Sequence, residues 1–391
     1  MLNKKHLCLV ALPFMFSLCG CERGSTPSSI LNVADYVDKT GVIPCADKIQ
    51  SLINDNPNRT LYFPDGTYLL DHQIATPGDP KKSVSLKLDD FAILKAAPDY
   101  ISKREEEPKE WQDENLYMVS LGGLDRENRV IEVGANFSMI GGYVDGSGIA
   151  CGVEIAGGRE VHVENVNMKN VEVGLFIAKG VNSGSSDADV LSTNIICNDS
   201  QTSLGVKING YDNTLTNMRI GHSHIGVQLN AGGNTLRNIH PLHNGDCLNN
   251  YYKDSIGFDI KSGRSVFDYC YSDNYETSFK FKGSNSSPFS NCVSWWFKSG
   301  ISDKDKGTSN QIAIDGGDDT KEFKSNFYNL NIGFNTSTSV SSNPTFILMK
   351  NAAKGTGVEH TVRFHDNTIN NYKDADKDAK ELFESYSDNS Y

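Results

Sequence analysis

Two stretches of the chain repeat each other: GVKINGYDNTLTNM at 205–218 and GVQLNAGGNTLRNI at 226–239. Their starting points are 21 residues apart, and both carry a glycine, an apolar–polar–apolar run and an Asn-Thr-Leu-x-Asn segment. Alternation of apolar and polar residues is typical of a half-buried β-strand. Asparagine tolerates the left-handed backbone that tight turns need. The pair therefore predicts a unit of short strands joined at asparagine corners.

The glycine-led element of this unit recurs along the middle of the chain. Copies start at residues 152, 174, 205, 226 and 257, and a weaker copy starts at Ser278. The period is 21 or 22 residues, interrupted by two insertions of about ten residues. A fixed period of this length indicates a solenoid whose coils stack to form one core. A leucine-rich repeat would need a Leu-x-x-Leu-x-Leu framework, which is missing, so we predict an all-β fold, a parallel β-helix.

The first residues look like an export signal. Lys4 and Lys5 precede an apolar run from Leu7 to Leu18 that is short for a membrane span, and the run ends in Leu18-Cys19-Gly20-Cys21. This pattern predicts a lipoprotein signal peptide over 1–20, with lipid attached to Cys21 and the protein anchored in the outer membrane of a Gram-negative bacterium, on its periplasmic or surface face. A plain secretory signal is the alternative.

The rest of the chain divides by composition. We predict a tether at 21–31, rich in Gly, Ser and Pro, a solenoid domain at 32–371 with a short N-terminal capping helix, and a polar tail at 372–391. The net charge of −12 argues against nucleic acid as a partner. Between residues 207 and 298, however, nine basic residues outnumber seven acidic ones. This local balance favours an acidic polysaccharide as the partner.

The N-terminal part carries a family resemblance. Ala46-Asp47-Lys48-Ile49-Gln50-Ser51-Leu52-Ile53 is followed by Tyr62-Phe63-Pro64-Asp65-Gly66-Thr67-Tyr68 and later by Ile140-Gly141-Gly142-Tyr143-Val144-Asp145-Gly146. These segments resemble the opening of the pectate-lyase-like superfamily, also called the pectin-lyase fold, which includes tailspike-type and polygalacturonase-type proteins. The resemblance implies a right-handed parallel β-helix capped by a helix, and a polysaccharide-degrading activity. The catalytic motifs of the polygalacturonase-type hydrolases and of the plant-type pectate lyases are missing.

When the coils are aligned by their corner asparagines, including Asn194, a cluster of His, Arg and Tyr side chains falls on one outward surface. Counting from these corners, side chains of three successive coils share this surface, and we predict as catalytic His240, His243, Arg219, Tyr271 and His222. Adjacent strands lie about 4.8 Å apart, so such residues are within reach of one substrate. Candidates for substrate binding lie nearby or in the insertion after His243, and comprise Tyr251, Tyr252, Lys253, Asn274, Lys280, Trp295 and Trp296.

This residue set predicts a polysaccharide lyase acting on pectin, alginate or a glycosaminoglycan. Arg219, Lys280 or a bound Ca²⁺ would neutralise the uronate carboxylate, His240 or His243 would remove the adjacent proton, and a tyrosine would protonate the departing oxygen. Three alternatives stay open: a glycoside hydrolase using Asp246, Asp273 and Asp259; a non-catalytic glycan-binding lipoprotein; and a Zn²⁺ site formed by the histidines.

The same stacking assigns the interior. Ile208, Leu229 and Ile260 are expected to stack inside consecutive coils. Cys270 and Cys292 follow the corner position and are expected to face inward as small core residues in preference to forming a disulfide. Neither cysteine belongs to a paired C-x-x-C metal pattern.

Overall fold

A computed structural model describes residues 29–101, 117–124, 137–157, 160–180, 184–243, 253–282 and 287–296, followed by isolated strands up to residue 387. All strand pairings in these segments are parallel, and they form one 23-stranded and one 10-stranded sheet. Almost every coil contributes three strands, one to each of three faces. The predicted parallel β-helix is therefore confirmed.

The first and second faces belong to the larger sheet, because two long strands, Thr214–Gly221 and Thr235–Leu242, run around the corner between them. The other strands of the first face are Ile30–Asn32, Arg59–Phe63, Val84–Leu88, Ser138–Ile140, His162–Glu164, Asp189–Leu191, Val266–Asp268, Pro288–Ser290, Lys324–Tyr328, Thr361–His365 and Ser385–Ser387. Those of the second face are Thr40–Pro44, Gly66–Leu70, Ala92–Ala96, Tyr143–Asp145, Asn167–Val171, Asn194–Cys197, Tyr271–Asp273, Val293–Trp296, Asn331–Phe334 and Thr368–Asn370.

The smaller sheet is the third face. Its strands are Ile74–Pro77, Tyr117–Leu124, Cys151–Ile155, Val173–Ile177, Leu204–Ile208, Ile225–Leu229, Ile256–Ile260, Thr277–Lys282, Asn310–Asp315 and Thr345–Lys350. The chain passes from the second face to the third in each coil, and the insertion that follows His243 lies at this crossing.

Asparagines form the corner between the first and second faces. Asn165, Asn217, Asn238 and Asn291 have φ between 52° and 58°, in the left-handed region that asparagine tolerates. The amide Nδ2 of Asn238 donates to Oδ1 of Asn217 at 2.8 Å, which confirms the ladder. Asn194 was placed in this ladder wrongly: it pairs with Arg219, and Ser192 occupies the corner with φ 52°.

The interior matches the predicted stacking. Ile208 pairs with Leu229 and Leu229 with Ile260, and all three are fully buried in one continuous apolar core. Cys270 and Cys292 are buried in the same core as free thiols, as predicted. Burial raises the pKa of the Cys292 thiol well above its ordinary value. Such a thiol stays protonated and behaves as a small apolar side chain.

A helix closes the N-terminal end of the solenoid, as the resemblance implied. It spans Ala46–Asp55 and buries Ala46, Ile49 and Ile53 against the first coils, which covers the open end of the core. Two short 3₁₀ turns, Val33–Asp35 and Pro80–Lys82, complete the helical structure of the described residues. None of these helices has the length and apolar character of a membrane span.

The predicted domain limits need one adjustment. Ser385–Ser387 pairs with Arg363–His365 as a further strand of the first face. The region 372–391, predicted as a polar tail, therefore contributes to the solenoid. The predicted signal peptide, Cys21 and most of the predicted tether lie outside the described residues.

Candidate functional site on the second face

The candidate site lies on the outer surface of the second face. Along these strands Ile220, Pro241 and Ser272 are buried, so the residues on either side of each point outward. Arg219 pairs in register with His240, and the rings of His240 and Tyr271 stack with centroids 4.2 Å apart and planes 6° from parallel. The predicted row of Arg219, His240 and Tyr271 on three successive coils is confirmed.

Asp273 is the centre of this surface. It is the next outward residue after Tyr271 and pairs with Leu242 of the preceding coil. Its Oδ2 lies 3.7 Å from Nε2 of His240, and its side chain is also hydrogen-bonded to Tyr271. Among the described residues, Oδ1 of Asp273 and Nε2 of His240 are buried without a hydrogen-bond partner. Leaving buried polar atoms unsatisfied costs stability, so such atoms indicate a site kept for a ligand.

Tyr271 is held in its protonated form. Burial, followed by the charge of Asp273 and the hydrogen bond to it, raises the pKa of Tyr271 to about 12. A phenol with this pKa is a weak proton donor and is almost never ionised near neutral pH. Tyr271 therefore orients Asp273 and is poorly suited to the role of general acid that the sequence suggested.

His222, His243 and Asn274 occupy the corner where the second face ends. The sequence predicted that His243 and Asn274 face solvent, and this is wrong: only 4% of His243 and 3% of Asn274 are exposed. The backbone turns here towards the third face, so these side chains pack inside the corner. The ring of His243 meets that of Tyr275 edge-on at 5.4 Å, and Asn274 and His222 take left-handed φ values of 63° and 58°. His222 therefore has a structural reason to be at this corner, since histidine is enriched in that conformation.

The other predicted residues are distributed more widely. Trp295 pairs with Asp273 on the following coil, next to the site, and Lys253 is exposed. Lys280, predicted as a substrate-binding residue, lies on the third face, where it pairs with Asp259. The strand that carries Lys280 belongs to the smaller sheet, so this residue is on a different face from His240. The side chain of Trp296 and all of Tyr251, Tyr252 and Asp246 lie outside the described residues.

Two corner residues were not anticipated. Tyr275 is fully buried, and its hydroxyl lies 2.8 Å from Oγ of Ser223 two coils away. Glu276 is 9% exposed, and one of its carboxylate oxygens accepts a hydrogen bond from the backbone N–H of Asp254. One feature of the sequence could have identified Glu276 as a site residue: it lies three residues after Asp273, on the other side of the turn at Asn274.

No group of three or more His, Cys, Asp or Glu side chains in the described part of the chain is arranged to hold a metal ion. The described histidines give no support to the Zn²⁺ alternative, since His240 stacks on Tyr271 and His243 packs against Tyr275. The predicted Ca²⁺ stays a prediction.

Comparisons with solved structures agree on the fold. A family 28 exopolygalacturonase from Yersinia enterocolitica has a TM-score of 0.58 at 12% identity, covering 88% of this chain and 72% of its own. The HK620 tailspike of an E. coli bacteriophage, in complex with a pentasaccharide, scores 0.55 at 12% identity, covering 87% and 67%. The A-module of the mannuronan C-5 epimerase AlgE6 from Azotobacter vinelandii scores 0.53 at 15% identity, covering 92% and 98%. At this level of identity the likeness establishes a shared fold, and no activity.

The family is identified from the sequence. No curated protein sequence matches the chain. Residues 30–252, more than half of the 391, match the family described as "Rhamnogalacturonase A/epimerase, pectate lyase-like". The matched residues include the capping helix, the asparagine corners up to Asn238, and Arg219, His240 and His243. The chain therefore belongs to this family of right-handed parallel β-helices, named for enzymes that act on polysaccharides.

Proposed function

We propose that the protein is a polysaccharide-cleaving enzyme, and that it is a glycoside hydrolase with Asp273 as its central acid–base group. The observation that carries the proposal is the position of Asp273, a buried carboxylate whose Oδ1 has no hydrogen-bond partner among the described residues. Carboxyl groups are the acids and bases of most glycoside hydrolases. Nε2 of His240 lies 3.7 Å from Oδ2 of Asp273, so the two side chains can contact the same ligand.

Hydrolysis needs a second carboxyl group beside the scissile bond. Glu276 is the candidate, because it is buried at the same corner as Asp273 and follows it by three residues. Asp259, which the sequence also suggested, lies on the third face and is less suited to this partnership. In this assignment one carboxyl group protonates the leaving oxygen while the other acts as base or nucleophile.

A lyase is the second candidate function. The row of Arg219, His240 and Tyr271 favours it, because a cation can neutralise the uronate carboxylate beside a histidine base. The raised pKa of Tyr271 argues against this assignment, since the departing oxygen then lacks an effective donor. A Ca²⁺ requirement belongs to this candidate, and turnover after treatment with a chelator tests it.

The nature of the product separates the two candidates. Polygalacturonate, alginate and a glycosaminoglycan are incubated with the purified protein, and new reducing ends and unsaturated uronate are measured together. We expect reducing ends without the ultraviolet absorbance of an unsaturated product. Absorbance rising in step with the reducing ends would establish elimination and contradict the hydrolase assignment. Binding without either product would favour a glycan-binding protein.

We also propose that the protein is exported and anchored to the outer membrane through lipid on Cys21. The proposal rests on Leu18-Cys19-Gly20-Cys21 after a basic and apolar start. Cys21→Ser should move the protein from the membrane fraction to the soluble fraction, as measured by fractionation with Cys19→Ser as the matched control. An unchanged distribution of Cys21→Ser would show that the anchor is elsewhere.

A further inference from the structure

The first coil of the solenoid presents two aliphatic side chains to solvent. Val42 and Ile43 are 74% and 62% exposed, and no other two consecutive residues of the described chain are both large, apolar and exposed to this degree. They lie in Thr40–Pro44, whose only strand partner among the described residues is Gly66–Leu70 of the next coil. This strand is therefore the edge of the second face at the N-terminal end of the solenoid.

A bulge holds the two side chains at this edge. Between the pairings of Thr40 and Pro44 with the next coil, three residues of this strand lie opposite one. The carboxylate of Asp38 accepts hydrogen bonds from the backbone N–H groups of Val42 at 3.2 Å and Ile43 at 3.1 Å. Because these bonds involve only the backbone, they fix the shape of the bulge without requiring apolar side chains. We call Val42 and Ile43 the aliphatic bulge.

Protection of the strand edge does not account for the aliphatic side chains either. Natural proteins keep an exposed edge from pairing with another chain by bulges, prolines and charged residues. The bulge and Pro44 already serve this purpose, whereas exposed aliphatic side chains favour association. The aliphatic bulge is therefore suited to contact with an apolar partner.

The proposed lipid anchor brings an apolar partner within reach of the first coil. Cys21 precedes Ser29, the first described residue, by eight residues, and an extended chain spans at most about 3.6 Å per residue. The lipid on Cys21 is therefore within about 29 Å of Ser29, whatever path the chain takes. Ser29 leads directly into Ile30–Asn32, the first-coil strand of the first face. The membrane is thus held close to the coil that carries the aliphatic bulge.

The charges at this end favour apolar contact over attraction to lipid headgroups. Three acidic residues, Asp35, Asp38 and Asp47, outnumber two basic ones, Lys39 and Lys48, on the first coil and the start of the capping helix. Juxtamembrane segments that bind anionic lipids carry clusters of basic residues, and this end has no basic surplus. Contact with a membrane would therefore depend on the aliphatic bulge itself.

We propose that the aliphatic bulge inserts into the surface of the membrane that holds the lipid on Cys21, so that the N-terminal coil docks on the bilayer. Apolar side chains at such an interface reach about 5–10 Å into the boundary between headgroups and acyl chains. Eight strand-to-strand steps of about 4.8 Å separate Thr40–Pro44 from Tyr271–Asp273, which places the coil of Asp273 about 38 Å along the solenoid from the docked coil. The proposal rests on the proposed lipid anchor, but docking and anchoring are measured separately.

The test is hydroxyl-radical labelling of the lipidated protein on vesicles of phosphatidylethanolamine and phosphatidylglycerol, with each residue followed by mass spectrometry. Labelling of Val42 and Ile43 should fall several-fold relative to lipid-free Cys21→Ser protein. Val266 is the matched control, because it is an exposed aliphatic residue in the coil of Asp273 and its labelling should not change. The protection should persist at high salt, since an apolar contact is not screened.

A double variant tests whether the side chains themselves make the contact. Val42→Ser with Ile43→Ser removes the apolar groups and keeps both N–H groups that bind Asp38. On vesicles, labelling of the neighbouring exposed Pro44 should then rise to its level in the lipid-free protein. Val266→Ser, the matched variant, should leave the protection of Pro44 as it is in the wild type.

Three results would overturn the proposal, and they differ in what they say about the anchor. Full labelling of the aliphatic bulge in vesicle-bound wild-type protein would exclude docking and leave the anchor intact. Failure of the wild-type protein to associate with vesicles would contradict both docking and the anchor. Protection that appears without lipid and increases with protein concentration would show that a second copy of the chain covers the bulge. If the double variant does not fold, the labelling of the wild type decides the outcome.

Discussion

Buried carboxylates lie on the third face and at Asp273 on the second face, and their surroundings differ. On the third face, Oδ2 of Asp259 accepts from Nε2 of Gln228 at 3.2 Å and lies 3.3 Å from Nζ of Lys261. On the same face, Oε2 of Glu154 accepts from Oγ of Ser120 at 2.7 Å. On the second face, Oδ1 of Asp273 has no such partner among the described residues.

We infer from this difference that the third-face carboxylates stabilise the fold, whereas the carboxylate of Asp273 is available for chemistry. A buried carboxylate with a cation and amide donors is satisfied, and removing it mainly costs stability. One with an unsatisfied oxygen, a histidine at 3.7 Å and a protonated tyrosine beside it can exchange a proton with a ligand. Three of the four variants below change the site on the second face, and the fourth changes the interior that both faces share.

The largest effect is expected from Asp273→Asn. The amide keeps the shape of the carboxylate but does not exchange protons, so turnover should fall about 10³-fold, within the usual range for a lost acid–base group. The measurement is the initial rate of reducing-end release on the preferred polymer. Asp259→Asn is the control and should lose stability while each folded molecule keeps its activity. Equal losses of activity in the two variants would place the chemistry elsewhere.

His240→Ala should reduce turnover about 10²-fold, because the group nearest Oδ2 of Asp273 is removed. Initial rates on the preferred polymer, with Arg237→Ala as a surface control on the first-face part of the same long strand, check this result. A variant with an unchanged rate would remove His240 from the mechanism.

Leu229→Ala changes the interior that both faces share. Leu229 is fully buried between Ile208 and Ile260, so the substitution should reduce the free energy of unfolding by about 2–5 kcal/mol. Turnover per folded molecule should stay near normal, because neither surface is altered. Denaturant unfolding measures the first quantity and active-site titration the second. A stability loss below about 0.5 kcal/mol would be inconsistent with a buried stack.

The smallest effect is expected from Tyr271→Phe. The pKa of Tyr271 is 10.0 in the unfolded chain and about 12 in the folded chain. The folded chain therefore binds the phenolic proton more tightly than the unfolded chain does. The resulting stabilisation is complete below pH 10 and is lost as the pH rises through about 12. In denaturant unfolding over this range, the wild type should lose stability more steeply than the variant. Parallel curves would show that the phenol is not perturbed.

The repeat sequence predicted much of the fold because strand stacking is local and periodic. An inward Leu229 implies an inward Ile208 and Ile260 once the period is known, and the structure bears this out. The error at Asn194 arose where an insertion interrupts the period, so that counting along the chain no longer determines the register. Hydrogen bonding between the strands determines the register there, and it places Ser192 at the corner.

The row of Arg219, His240 and Tyr271 follows from the same periodicity, and the sequence alone was sufficient to find it. The sequence failed to predict that His243 and Asn274 are buried, because a corner changes the direction in which a side chain points and the alternation within a strand does not extend across it.

The sequence by itself determined that this protein is a solenoid, which residues fill its core, and that basic and aromatic side chains line one outer surface. Only the tertiary structure decided that Asp273 lies at the centre of that surface and that the Tyr271 side chain is hydrogen-bonded to it. The physical reason is that periodicity specifies direction, inward or outward, whereas the state of a carboxylate depends on which atoms from other coils approach it.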